Sequence, residues 1–215
     1  KLVVLDLRPE GFQLLKFKER VLDYLEEGSR NHTITILWEY LLLLETCHKI
    51  LKTDEAAHMR DQRLYLPYRE LVDAYGKDQY VSEGDFAERM LMLTQRMGDA
   101  FEAHNHAHTP NKQLTSGEIS EIIYSHDVTA LRNRLVTYLK HKEGLWILFD
   151  NLDKGWPPFG VTAHDVITLR CLIEALTKIE QQLGKRHILC HGVVFIRNDV
   201  YEMLIDSSPD RGKAA

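Results

Sequence analysis

No segment of the 215-residue chain reads G-x-x-x-x-G-K-[ST], the loop whose backbone amides cradle phosphate. Gly-Lys pairs occur at Gly76-Lys77, Gly184-Lys185 and Gly212-Lys213. None has a glycine five positions earlier, and none is followed by Ser or Thr. Cysteine is scarce: Cys47, Cys171 and Cys190 lie far apart and form no CxxC, which excludes a disulfide framework and a zinc ribbon and suits a reducing interior. The N-terminus lacks a basic segment followed by an apolar core, so no secretory signal is expected. The longest apolar stretch, residues 34–44, is interrupted by Glu39 and too short to span a bilayer. These absences lead to the expectation of a cytoplasmic protein without a membrane partner. An excess of positive charge is also missing. With 27 Lys and Arg against 32 Asp and Glu, the net charge of -5 does not indicate a nucleic-acid surface. GxSxG, HExxH and fixed-period repeats do not occur.

What remains is an ordinary globular composition, 44% hydrophobic and 27% charged, in a length that fits one large domain or a domain with an insertion. Lys1 is not a start methionine, residues 2–7 open at once as a strand, and residues 209–215 stop within what reads as a loop. The expectation is a fragment of a longer protein, and truncation then accounts for the missing phosphate loop.

The most informative segment is Leu145-Trp146-Ile147-Leu148-Phe149-Asp150-Asn151-Leu152-Asp153-Lys154-Gly155-Trp156-Pro157. Five large hydrophobic residues suit a strand buried on both faces of a parallel sheet. The acids follow at its carboxyl end, where open α/β sheets place ligands. Further strands are expected at 2–7 and 188–196. Between 145–150 and 188–196, residues 162–184 carry helix signals: Thr162 as cap, Asp165 in the first turn, and Gly184 followed by Lys185-Arg186 at the end. Strand, helix and strand imply a parallel pair with a right-handed crossover. Residues 9–143 read as a mostly helical insertion, with helical spacing over 34–51, 83–104 and 128–140. The polar stretch 104–117 reads as a loop. The expected fold is α/β: core strand at 1–8, helical insertion at 9–143, and two further core strands in 144–215.

A carboxylate at the end of a buried strand is how P-loop NTPases hold the magnesium ion of a bound nucleotide. Asp150 fits that role, acting through water because magnesium keeps much of its hydration shell. An ordinary Asp-Asn turn is the plainer alternative. Hydrolysis also needs a group that orients or deprotonates the attacking water. Asn151, directly after Asp150, can orient water but cannot take a proton as a carboxylate does, and Asp153 is the nearest acid. Arg197-Asn198-Asp199 ends the third expected strand beside those acids. Arg197 there suits a phosphate sensor, or a salt bridge with a neighbouring acid. Arg211 and Lys213 read as an exposed charged loop, and His104, His106 and His108 as a solvated linker rather than a metal site.

Residues 146–154 (WILFDNLDK) resemble the Walker B strand of bacterial P-loop ATPases related to the KAP and STAND groups, in which a hydrophobic strand leads into D-D-L-D-[RK]. Asp150, Asp153 and Lys154 match that pattern and Asn151 departs from it. Residues 193–201 are similar to the family's following sensor strand, 210–213 to a segment after it, and 38–42 to a tryptophan-bearing helix of its helical insertion. The resemblance implies an AAA-like core that binds ATP and Mg2+ and whose hydrolysis drives a conformational switch in multidomain defence or signalling proteins. Two alternatives stay open: a nucleotide-binding switch with little hydrolysis, to which Asn151 points, and a non-enzymatic helical interaction module on a degenerate α/β core. The resemblance implies partners in the form of a nucleotide and a homo-oligomer or effector protein. It also implies that the fragment alone binds ATP poorly, because the phosphate cradle supplies much of the site.

Overall fold

The computed structural model describes residues 1–9, 30–77, 84–108, 128–152 and 162–206. Three strands, β1 (Val3–Leu7), β2 (Leu145–Phe149) and β3 (Cys190–Val194), form one parallel sheet in the order β1-β2-β3. The register aligns Leu7 with Phe149 and Phe149 with Val194. Among the described residues, four helices lie between β1 and β2: α1 (Arg30–Thr53), α2 (Gln62–Tyr75), α3 (Phe86–His108) and α4 (Val128–Leu139). Helix α5 (Ala163–Gly184) joins β2 to β3, and α6 (Asn198–Asp206) follows β3. The expected α/β class holds in this form: a small parallel sheet in a chain that is mostly helical, with helices inserted between consecutive strands.

The sheet is not equally buried on its two faces. Val3, Leu5, Leu7, Leu145, Ile147, Phe149 and Cys190 are buried beneath α1 and α5. Trp146 and Leu148 are only half-buried, and Val4 on β1 is exposed. The unbroken hydrophobic run of β2 had suggested burial on both faces. Instead its large side chains alternate between a closed face and a partly open one, where Trp146 meets His191 with ring centroids 4.9 Å apart. Gly192 lets β3 pack tightly on α5, since a Cβ there would lie 3.1 Å from the Leu176 side chain. Its N–H donates to the Glu180 carboxylate of α5 at 2.6 Å, which occupies a donor in the middle of β3.

Helix α1 is apolar nearly all round, as suits a helix enclosed on all sides. Its residues from Ile36 to Cys47 are buried without a break. Three carboxylates on or just past it are almost fully buried, and each meets a cation from a different element. Glu39 (1% exposed) takes Arg132 of α4 and Lys178 of α5. Glu45 (2% exposed) receives Arg89 of α3 through two bonds of 2.7 and 2.6 Å. Asp54 (3% exposed) accepts from the Tyr138 hydroxyl at 2.6 Å and pairs with Lys142 at 2.7 Å. A lone buried carboxylate would cost several kcal/mol, so each pair fixes which helices can lie against α1.

Helix α5 begins as the sequence indicates. Thr162 and Asp165 form a capping box, with the Thr162 N–H donating to Asp165 Oδ2 at 2.8 Å. Helix α2 carries Pro67 in its interior and is capped by Asp61, which accepts from the Arg63 N–H. Two expectations change. Helix α3 runs on to His108, so the three histidines at 104, 106 and 108 belong to its last turns rather than to a loop; residues 109–117 lie outside the described residues. Strand β3 ends at Val194, and Asn198 opens α6 instead of closing a strand. Asp199 in its first turn favours a helix start.

Candidate active site at the carboxyl end of the sheet

Asp150 follows β2, the middle strand, and is half-buried at the carboxyl end of the sheet. Its N–H still bonds the Leu7 carbonyl at 3.1 Å, so the backbone remains tied to β1 one residue beyond the strand. Asn151 then turns the chain with φ of +60°, a left-handed conformation that Asn tolerates better than most residues. The Asn151 N–H donates to Asp150 Oδ1 at 2.8 Å and orients the carboxylate. Leu152 behind it is 1% exposed and anchors the turn in the core. A conformational demand therefore accounts for an Asn directly after Asp150.

The strand end is held from behind by aromatic rings of the helical insertion. Phe149, fully buried, meets Trp38 of α1 edge-on (centroids 5.9 Å, 87°) and Phe86 of α3 (6.2 Å, 71°). The Trp38 indole N–H donates to the Thr168 carbonyl of α5 at 3.2 Å. One tryptophan thus touches both the residue before Asp150 and the helix that follows the acid loop. The sequence shows Trp38 as a helix residue, and its contact with Phe149 requires the fold.

Of the four residues proposed from sequence, three are described and lie at this end of the sheet. Asp150 and Asn151 are adjacent. Arg197 lies beyond β3, two residues past Phe195, whose N–H bonds the Phe149 carbonyl at 2.8 Å. Its guanidinium makes a two-point contact with Asp199 at 3.1 and 3.0 Å, both side chains being exposed, so the salt-bridge alternative is realised. That contact holds the Asp199 carboxyl below the usual carboxylate range. Asp153 falls outside the described residues, as do Lys154, Arg211 and Lys213.

Sequence reading passed over another cation at this end of the sheet. Arg8 follows β1 in the position that the register sets against Asp150. It bonds Asp6 at 3.1 and 2.9 Å, which raises its pKa, and attraction to Asp150 adds to the effect. The same bonds hold the Asp6 carboxyl below its usual range. The signal was available: parallel pairing of 2–7 with 145–150 aligns the residues that follow them.

The chemistry on offer is that of carboxylates and guanidinium groups. Burial pushes the Cys190 thiol up to about 12 and Cys171 up to about 11, so neither supplies a thiolate near neutral pH. Among the described residues, no group of three or more His, Cys, Asp or Glu could enclose a metal ion. One half-buried carboxylate whose described bond engages Oδ1 suits magnesium held mostly by water and phosphate. Among the same residues, no helix is long and apolar enough to cross a membrane. Comparison of the chain with protein-family models, curated proteins and solved structures finds no match.

Proposed function

We propose that this chain is part of a nucleoside-triphosphatase core of the P-loop kind, related to the KAP and STAND ATPases, in which ATP turnover drives a conformational switch. The observation that carries the reading is Asp150: an oriented, half-buried acid at the carboxyl end of the middle strand of a parallel sheet, where α/β folds bind ligands. Asp150 would hold magnesium through the ion's water shell, and a bound ion would supply neutralisation of phosphate charge. Asn151 or Asp153 orients the attacking water. Arg197 senses phosphate, exchanging its exposed contact with Asp199 for the ligand, at little cost for so exposed a pair. The core acts with a homo-oligomeric or effector partner.

Single-turnover hydrolysis of ATP by the full-length protein tests this. Product forming faster than in buffer, and lost in Asp150→Ala, is the expected result; a rate equal to buffer sinks the catalytic reading. A second reading, a nucleotide-binding switch with little turnover, draws on Asn151. A residue held by its backbone turn, with no proton to accept, suits binding better than hydrolysis. In that case ATP binds and the Asp150→Ala variant does not bind it, while no product forms.

A further inference from the structure

A cleft of about 630 Å³ opens between the end of α1 and one side of α2. It lies at the amino end of the sheet, opposite Asp150. Asp54, next to its rim residue Glu55, pairs with Lys142 just ahead of β2 and feels the charge of Lys1 ahead of β1. The charged wall is one-sided: Lys52 from α1 and Arg69 from α2 stand against a single described carboxylate, Glu55, with the His48 and His58 rings beside them.

The bulk charge of -5 makes that imbalance a local property. Residues 48–69 hold five Lys or Arg against three Asp or Glu, and Asp54 is neutralised by Lys142 from outside the segment. Arg69 approaches Asp73 only to 3.8 Å, with both side chains more than half exposed, so its guanidinium is readily drawn to a stronger anion. The remaining lining comes from Leu51, Val72, the Tyr68 ring and the backbone at Gly76 and Gly84. Tyr68 spends its hydroxyl on the Leu51 carbonyl at 2.9 Å, and its ring stacks on His58 at 4.1 Å. That hydroxyl bond and Lys52 in the last turn also offset the negative carbonyl end of α1. The volume is that of a small-molecule site. A guanidinium and an ammonium from facing elements, with two imidazoles nearby, match a dianion better than a single carboxylate.

We propose that this cleft binds a small phosphate monoester with a compact apolar body, at a site independent of the Asp150 end. The phosphate lies between Lys52 and Arg69, and the apolar part covers Leu51 and Val72.

The test is an amide-detected NMR titration of the chain with phenyl phosphate, following Tyr68, Val72, Gly76 and Gly84. Saturable shifts are expected, with phenol and inorganic phosphate each binding about tenfold more weakly. Lys52→Ala and Arg69→Ala each weaken binding about tenfold, from the loss of a charge-assisted contact. Glu55→Gln tightens it about threefold by removing the opposing charge. That gain in affinity could not come from a misfolded variant. Asp150→Ala leaves the titration unchanged. An absence of saturable shifts, an equal response to phenol, or affinity indifferent to Lys52, Glu55 and Arg69 would overturn the proposal. So would loss of the response in Asp150→Ala, which would assign the binding to the other end of the sheet.

Discussion

The carboxylates around α1 and the one after β2 live under opposite rules. Glu39, Glu45 and Asp54 are at most 3% exposed and each is matched by a cation. Their charges are consumed in choosing which helices pack together. Asp150 is half-buried, and its hydrogen bond comes from its own neighbour's backbone. Arg8, a cation whose charge it feels, is engaged with Asp6. The first arrangement specifies a structure and leaves nothing over for chemistry. The second holds an acid in one orientation while leaving its charge uncommitted, which is what a ligand site needs. A buried charge in this molecule is therefore evidence about packing, and a half-buried one about function.

The largest expected effect breaks the structural side of that contrast. Arg89→Ala strands Glu45 in the core and should lower the unfolding free energy by about 3 to 5 kcal/mol in urea denaturation. Replacing both partners, Glu45→Met with Arg89→Leu, should recover most of it. If the single and double variants are equally unstable, the pair does more than cancel a charge.

Asp54 should behave alike and add a pH signature. Burial pushes its carboxyl up, but bonds from Lys142 and Tyr138 outweigh burial and hold it below the usual 3.8. A folded-state value below the unfolded one means that the stabilisation is full above about pH 4 and fades as pH falls through the lowered value. Asp54→Asn should cost about 3 kcal/mol at pH 7, and the gap from wild type should narrow in melts taken below pH 4. A constant gap would contradict the assignment.

Smaller changes probe the joint between the two regions. Trp38→Phe keeps a ring against Phe149 but drops the bond to the Thr168 carbonyl, for a loss of about 1 kcal/mol. Thr162→Ala removes the α5 cap at a similar cost of about 1 kcal/mol, readable as a lower denaturation midpoint.

How much of this was legible in sequence depended on how local the cause was. The strands and α5 follow from hydrophobic runs and from Thr162, Asp165 and Gly184, all signals within a few residues. Helix α2 was harder to see because Pro67 interrupts its pattern, although Asp61 caps it. The end of β3 was misread because Phe195 and Ile196 prolong the apolar run past the last strand residue, Val194, while Asn198 and Asp199 start a helix. The pairings of Glu45 and Glu39 could not be read at all, since Arg89 and Arg132 lie 44 and 93 residues away. At the candidate site, Asp150 was visible from its position after a strand. Arg8 and Trp38 needed the sheet register and the packing of α1.

The most direct measurement is isothermal titration of the full-length protein with ATP, with and without magnesium, in wild type and Asp150→Asn, alongside their melting temperatures. The account predicts magnesium-dependent binding in wild type that Asp150→Asn loses, with stability changed by about 1 kcal/mol or less. A wild type that binds no nucleotide would contradict it. So would an Asp150→Asn variant that unfolds like a broken buried pair, because Asp150 would then belong with the carboxylates of α1.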